Sequence, residues 1–227
     1  MGNLYIVSTP IGNLEDITLR ALRILKEVDL ILCEDTRQTL KLLNHYEISK
    51  PLVSYFQHSK LSKVDYILGQ LEQGKNIALV SDAGTPGISD PGGKLLNEIT
   101  TRPGLVAEIV PIPGPSALTV AASVSGFPMD RFLFLGFPPA KKKRKKFFEE
   151  IAGSKYPVIF YESSHRILKT LNQLKDSLPR AKRVVVCREL TKKFETIYRG
   201  EIEAVIKELE SDKNNLKGEF VIIVSNE

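Results

Sequence analysis

Short apolar runs alternate along this chain with longer stretches in which apolar residues return every three or four positions. The runs at 4–7, 30–33, 77–80, 107–110, 132–135, 158–161, 184–187 and 220–224 are rich in Val, Ile and Leu and predict strands. The stretches between them predict helices over 18–28, 36–46, 60–73, 92–101, 116–124, 141–151, 166–177 and 202–210. In the first of these, Leu19, Leu22, Ile24, Leu25 and Val28 fall on one helical face. Asp35 or Thr36 suits the cap of the second, and Pro115 the first turn of the fifth, with Gly126 just past its end. Regular alternation of strand and helix predicts α/β layers in which at least part of each sheet is parallel.

The pattern is interrupted at Pro111-Ile112-Pro113-Gly114-Pro115, where three prolines in five residues make a stiff connector. This predicts two α/β domains, 1–112 and 116–227, joined by a linker at 113–115; one continuous sheet with a proline-rich loop is the alternative. At 227 residues, 42% apolar and 26% charged, the composition is that of an ordinary globular chain able to hold two small cores. The apolar runs are far too short to span a bilayer, and Met1-Gly2-Asn3-Leu4-Tyr5 does not open an export signal, so a cytoplasmic protein is expected. Cys33 and Cys187 sit apart in apolar surroundings, which predicts free thiols, and no Cys or His pair has metal-ligand spacing, so no metal is expected. Charge is concentrated rather than general. Of 32 basic residues, six form the run Lys141-Lys142-Lys143-Arg144-Lys145-Lys146, leaving 26 basic against 27 acidic residues elsewhere.

In α/β sheets ligands gather beyond the carboxyl ends of the strands. Here those ends carry Ser8-Thr9-Pro10-Ile11-Gly12-Asn13, then the loop from Ser81-Asp82-Ala83-Gly84-Thr85-Pro86 to Gly92, then Pro113-Gly114-Pro115-Ser116-Ala117. Glycine admits a ligand close to the backbone and proline fixes the loop's shape. None of the three is a G-x-G-x-x-G or P-loop fingerprint, and no G-x-S-x-G elbow occurs, which argues against dinucleotide enzymes, P-loop NTPases and α/β-hydrolases.

The segments Leu4-Tyr5-Ile6-Val7-Ser8-Thr9-Pro10-Ile11-Gly12-Asn13-Leu14-Glu15-Asp16-Ile17 and Cys33-Glu34-Asp35-Thr36-Arg37 resemble one family closely. So do Phe134-Leu135-Gly136-Phe137-Pro138-Pro139, Tyr161-Glu162-Ser163-Ser164-His165-Arg166 and Cys187-Arg188-Glu189-Leu190-Thr191-Lys192. The family is the bacterial small-subunit rRNA cytidine 2′-O-methyltransferases, within the tetrapyrrole-methylase superfamily. The resemblance runs from residue 4 to about residue 224, although many relatives carry a further C-terminal segment. It implies two α/β domains of the tetrapyrrole-methylase type, with S-adenosyl-L-methionine (SAM) in the interdomain cleft. It further implies a homodimer, and methylation of a cytidine ribose in the decoding region of 16S rRNA, within the small ribosomal subunit. By the same similarity SAM is expected at Pro10, Asp82, Thr85, Ser116, Ala117, Tyr161, Leu190 and Glu219, largely through backbone groups.

A ribose hydroxyl is a weak nucleophile until its proton leaves, so a general base is expected. Glu34, Asp35, His58, Glu162, His165 and Glu189 are the candidates, with Asp35, Glu162 and His165 foremost; Asp35 as a plain helix cap and His165 as a structural histidine compete with those roles. Arg37, Arg166, Arg188 and the Lys141 to Lys146 run, Arg144 included, are expected to grip RNA phosphates, against the simpler reading that each pairs with a neighbouring acid or forms a solvated face. Two rival functions stay open on the sequence alone: methylation of a tetrapyrrole or a protein side chain, and a non-catalytic rRNA-binding module.

Overall fold

The computed structural model describes residues 2–56, 59, 61–90, 92–104, 107–178 and 182–225. It consists of two compact units, Met1–Ser116 and Ala117–Glu227.

In the first unit, β1 (Leu4–Val7), β2 (Leu30–Cys33), β3 (Leu52–Ser54), β4 (Ile77–Leu79) and β5 (Ile109–Ile112) form a parallel sheet of order β3-β2-β4-β1-β5. Helices α1 (Leu19–Glu27) and α2 (Thr36–His45) cover one face, and α3 (Leu61–Glu72) and α4 (Gly92–Thr101) the other. Along β2, Ile31 and Cys33 join the first of these cores while Leu30 and Leu32 join the second. A strand buried on both faces reads as an unbroken apolar run, and this one does. The helix starts are set by polar caps: Thr18 accepts from the Ala21 N–H at 3.0 Å, and Asp35 from the Arg37 N–H at 2.9 Å.

The second unit has a mixed sheet, β6 (Leu133–Phe134), β7 (Val158–Ser163), β8 (Arg183–Arg188), β9 (Thr196–Glu201) and β10 (Glu219–Val224), in the order β6-β7-β10-β8-β9. Only β6 and β7 run parallel; the other neighbours are antiparallel. On one face α6 (Arg144–Gly153), α7 (Ile167–Ser177) and α8 (Ile202–Glu210) bring Phe147, Phe148, Leu171, Leu174, Val205 and Leu209 against Phe160, Val186 and Ile222. Burying each such side chain contributes roughly 1.5–3 kcal/mol. Helix α5 (Ala117–Val124) packs against β7 and β10.

Three differences from the sequence expectation have physical reasons. β3 and β9 were not foreseen; β3 has three half-buried residues behind Pro51, and β9 carries Gly200, so both are weak edge strands. β5 begins two residues later than expected and continues through Pro111, which an edge strand paired only with β1 tolerates. α6 starts at Arg144 rather than at residue 141, because Lys143 takes a left-handed conformation (φ 67°) and Arg144 turns into the core.

Candidate active site

The strand-end loops of the first unit are tied to one another. The Thr9 N–H donates to the Gly84 carbonyl at 2.9 Å and the Gly84 N–H returns the bond at 3.0 Å. The Thr85 hydroxyl donates to the Pro115 carbonyl at 3.1 Å, and since it has one hydrogen, the Ser8 hydroxyl at 2.9 Å must donate to it. A Cβ on Gly114 would meet the Ser8 Cβ at 2.9 Å, so glycine is required for the β5 loop to lie this close. Pro10 is buried behind these loops, and Thr85 is committed to holding them. Ser116 and Ala117 lie half-buried where this loop ends and α5 begins.

Between the ends of β2 and β4 the lacing is acidic. The Asp82 carboxylate accepts the Asp35 N–H at 3.0 Å, and the Glu34 carboxylate in turn accepts the Asp82 N–H. Burial, then the charges of Asp90 and Asp82, push the Glu34 carboxyl up to about 7. Burial, then Asp82, push Asp90 up to about 6 against a hydrogen bond from Ser81. Among the described residues no lysine or arginine pairs with Glu34, Asp82 or Asp90. Asp35, one residue on, is different. It caps α2 and takes a forked bond from Arg37, at 3.0 and 2.7 Å, which holds it down at about 2. A carboxylate that acidic is a poor proton acceptor at neutral pH, which argues against the expectation of a base at Asp35. Asp90 was not foreseen as part of the site; the signal was a loop with two acids and no basic residue.

In the second unit the acids are paired. Glu162 is 1% exposed and binds the Arg166 guanidinium at 2.8 Å and the Thr170 hydroxyl at 2.6 Å, with Arg144 at 3.9 Å. Its burial and pairing argue against the expectation of a base at Glu162, since the carboxylate is already engaged by protein donors. His165 lies exposed in the turn before α7. Beyond β8, Glu189 and Thr191 both take positive φ, 50° and 66°, around the buried Leu190. Backbone strain of this kind concentrates at ligand-binding loops. Gly218 takes a φ of 102° that favours glycine, and a Cβ there would displace the Glu189 side chain. Burial raises Glu189, but hydrogen bonds from Lys192 and the Glu219 N–H, with the charges of Lys192 and Arg188, bring it below the ordinary range. The Glu219 carboxylate accepts from Lys192 at 2.8 Å. Tyr161 is half-buried on β7, its ring against those of Phe134 and Phe137.

The expected RNA-gripping cations divide into two sets. Arg188, 7% exposed, donates to the carbonyls of Lys217, Phe194 and Asn214 at 2.7, 3.0 and 2.8 Å. Arg144, also 7% exposed, donates to Gln173, Pro139 and Thr170. Both depart from the expectation of phosphate contact: these guanidiniums are buried and bound to protein acceptors. Arg166 is half-buried on Glu162 and the Pro138 carbonyl. Lys141, Lys142, Lys143, Lys145 and Lys146 are exposed, as is Arg37 on its Asp35 partner. His58 lies outside the described residues.

The family model of the Tetrapyrrole (Corrin/Porphyrin) Methylases matches residues 3–206, which spans most of both α/β units and places the chain in a methylase class. Relatives named ribosomal RNA small subunit methyltransferase I include the Thermotoga maritima protein, 45% identical over 99% of both chains. Those from Escherichia coli O157:H7 and Bacillus subtilis are 46% and 47% identical, over 98% and 99% of this chain and 77% and 75% of theirs. The chain therefore belongs to the tetrapyrrole methylases and, within them, to the ribosomal RNA small subunit methyltransferase I family. The fold agrees. The methyltransferase CobJ superposes with a TM-score of 0.72 at 18% identity, covering 100% of this chain and 95% of that one. The uroporphyrin-III C-methyltransferase of Thermus thermophilus, complexed with S-adenosylhomocysteine, gives 0.65 at 16%, covering 99% and 97%.

SAM is the methyl donor of this class of enzyme. The first unit's donor set fits it. SAM carries positive charge on its sulfonium and amino groups, and Asp82 and Asp90 present carboxyls in the loop after β4 with no protein cation among the described residues to neutralise them.

Proposed function

We propose that this enzyme methylates the 2′-hydroxyl of a cytidine ribose in the decoding region of 16S rRNA, acting on the small ribosomal subunit in the cytoplasm as a homodimer. The observation that carries this reading is the likeness to ribosomal RNA small subunit methyltransferase I proteins over 99% of the chain. The strand-end loops supply the chemistry in outline. SAM brings an electrophilic methyl group on a good leaving group, so the protein's work is positioning and proton removal. The backbone around Pro10 and Ser116 holds the donor, and Asp82 accepts from its polar groups.

Glu34 is the proposed general base. At about 7 its carboxylate takes a proton far more readily than an ordinary glutamate while still being substantially ionised at neutral pH. Burial first, and then the charges of Asp90 and Asp82, keep it there. Asp35 and Arg37 shape the entry to α2, and the exposed lysines of the 141–146 run engage the phosphate backbone. The test is a map of ribose methylation in 16S rRNA from cells with and without the gene. Loss of one 2′-O-methylcytidine in the decoding region, restored by the purified enzyme and SAM on small subunits, is the expected result. An unchanged map, or methyl transfer to a porphyrinoid instead, overturns the reading.

A further inference from the structure

We propose that Phe137 is a stacking platform for an unpaired nucleobase of the RNA substrate. The inference rests on the rRNA reading above and names a binding site within it. Phe137 is 52% exposed, on a loop that continues into Pro138 and Pro139. The loop has little freedom to tuck the ring away. The Leu135 N–H donates to the Ile159 carbonyl at 3.0 Å, and the Gly136 carbonyl accepts the Tyr161 N–H at 2.9 Å. The Pro138 and Pro139 carbonyls are held by Arg166 at 3.2 Å and Arg144 at 3.0 Å. Both arginines are fixed in turn on buried Glu162. The Phe137 ring sits edge-on to Tyr161, 5.4 Å between centroids, and Tyr161 sits against Phe134 at 5.0 Å. The result is a rigid aromatic stack with its outermost ring presented to solvent.

What lies beside the ring identifies the occupant. Arg144, bonded to Pro139, is the first residue of α6, so the start of that helix lies beside the loop. That start has no side-chain cap and no acid in its first turn, a setting that favours an anion. Around it Lys141, Lys142, Lys143 and Lys146 are exposed and form no ion pair among the described residues, while Lys145 makes a loose one to Glu149 at 3.6 Å. A preorganised aromatic face next to clustered cations is the combination that binds single-stranded nucleic acid, the cations following the phosphates and the ring taking a base. Stacked bases within a duplex offer no free face, so the partner is a single-stranded or extruded nucleotide.

The chain has no tryptophan, so Phe137→Trp installs a unique fluorophore at the platform. Titration with a short oligoribonucleotide is expected to quench it, while an abasic ribose-phosphate oligomer of equal length and charge is not. Phe137→Ala is expected to weaken oligoribonucleotide binding about 5- to 150-fold without changing its salt dependence, and Phe137→Trp to retain it; a thermal melt of each variant reports folding. Equal affinity of Phe137→Ala and wild type, or equal quenching by the abasic oligomer, overturns the platform. If wild type still methylates small subunits in parallel, only the platform falls. If wild type neither binds RNA nor methylates subunits, the rRNA reading falls with it.

Discussion

Glu34 and Glu162 both follow the apolar part of a buried strand, and the protein treats them in opposite ways. Glu162 is the more deeply buried, yet two guanidiniums, a hydroxyl and the Ser163 N–H surround its carboxylate. Glu34 is only half-buried, but its charged neighbours are Asp82 and Asp90, and they add to the effect of burial. Burial alone does not decide what a carboxyl does; the sign of the charges that come with it does. The carboxylate supplied with cations is an architectural anchor for the Pro138–Pro139 backbone, and the one supplied with acids is pushed up to about 7, which suits the role of base proposed for it.

The largest expected effect separates the two by activity. Glu34→Gln should lower kcat by about 10²- to 10⁴-fold, the usual contribution of a general base, with SAM affinity and melting temperature close to wild type. Steady-state kinetics and calorimetry check this, and a melting temperature that falls with the activity would place Glu34 with Glu162 instead. Next comes stability. Glu162→Ala should destabilise the protein by about 3–5 kcal/mol, because it leaves two arginines without their counter-charge in the interior. Chemical denaturation measures this, and the loss should be largely recovered when Arg144 and Arg166 are replaced with Met in the same chain. The smallest effect concerns the lysines. Replacing Lys141, Lys142, Lys143, Lys145 and Lys146 with Gln, keeping Arg144, should weaken RNA binding. The slope of log affinity against log salt should become shallower by up to about 0.7 for each phosphate that is no longer neutralised. Including Arg144 in the set should add a stability loss that the five lysines do not produce.

Much of the fold was legible in the sequence because it depends on local pattern. β2 at Leu30–Cys33 and α4 at Gly92–Thr101 follow directly from apolar periodicity, and the cap of α2 from Asp35. The weak edge strands β3 and β9 were not, since their pairing is set by neighbours distant in the chain. The same limit explains the site. Glu34 and Asp35 are adjacent and read alike, and only the arrival of Asp82 and Asp90 from the β4 loop separates their chemistry. The basic run reads as six equivalent charges, yet Arg144 faces inward because Glu162 lies across from it on β7. Gly114, Pro113 and Pro115 were visible as a rigid loop; that Thr85 fastens it through the Pro115 carbonyl was not.

The central claim is that acidic neighbours tune Glu34 for proton abstraction, and its most direct test is the pH dependence of kcat/KM for the methyl donor in wild type and Asp90→Asn. Wild-type activity should rise through a limb near 7, where free-enzyme Glu34 loses its proton. Removing the Asp90 charge removes a repulsion that disfavours ionised Glu34, so in Asp90→Asn that limb should move to lower pH. A limb that stays in place, or that persists unchanged in Glu34→Gln, would contradict the account.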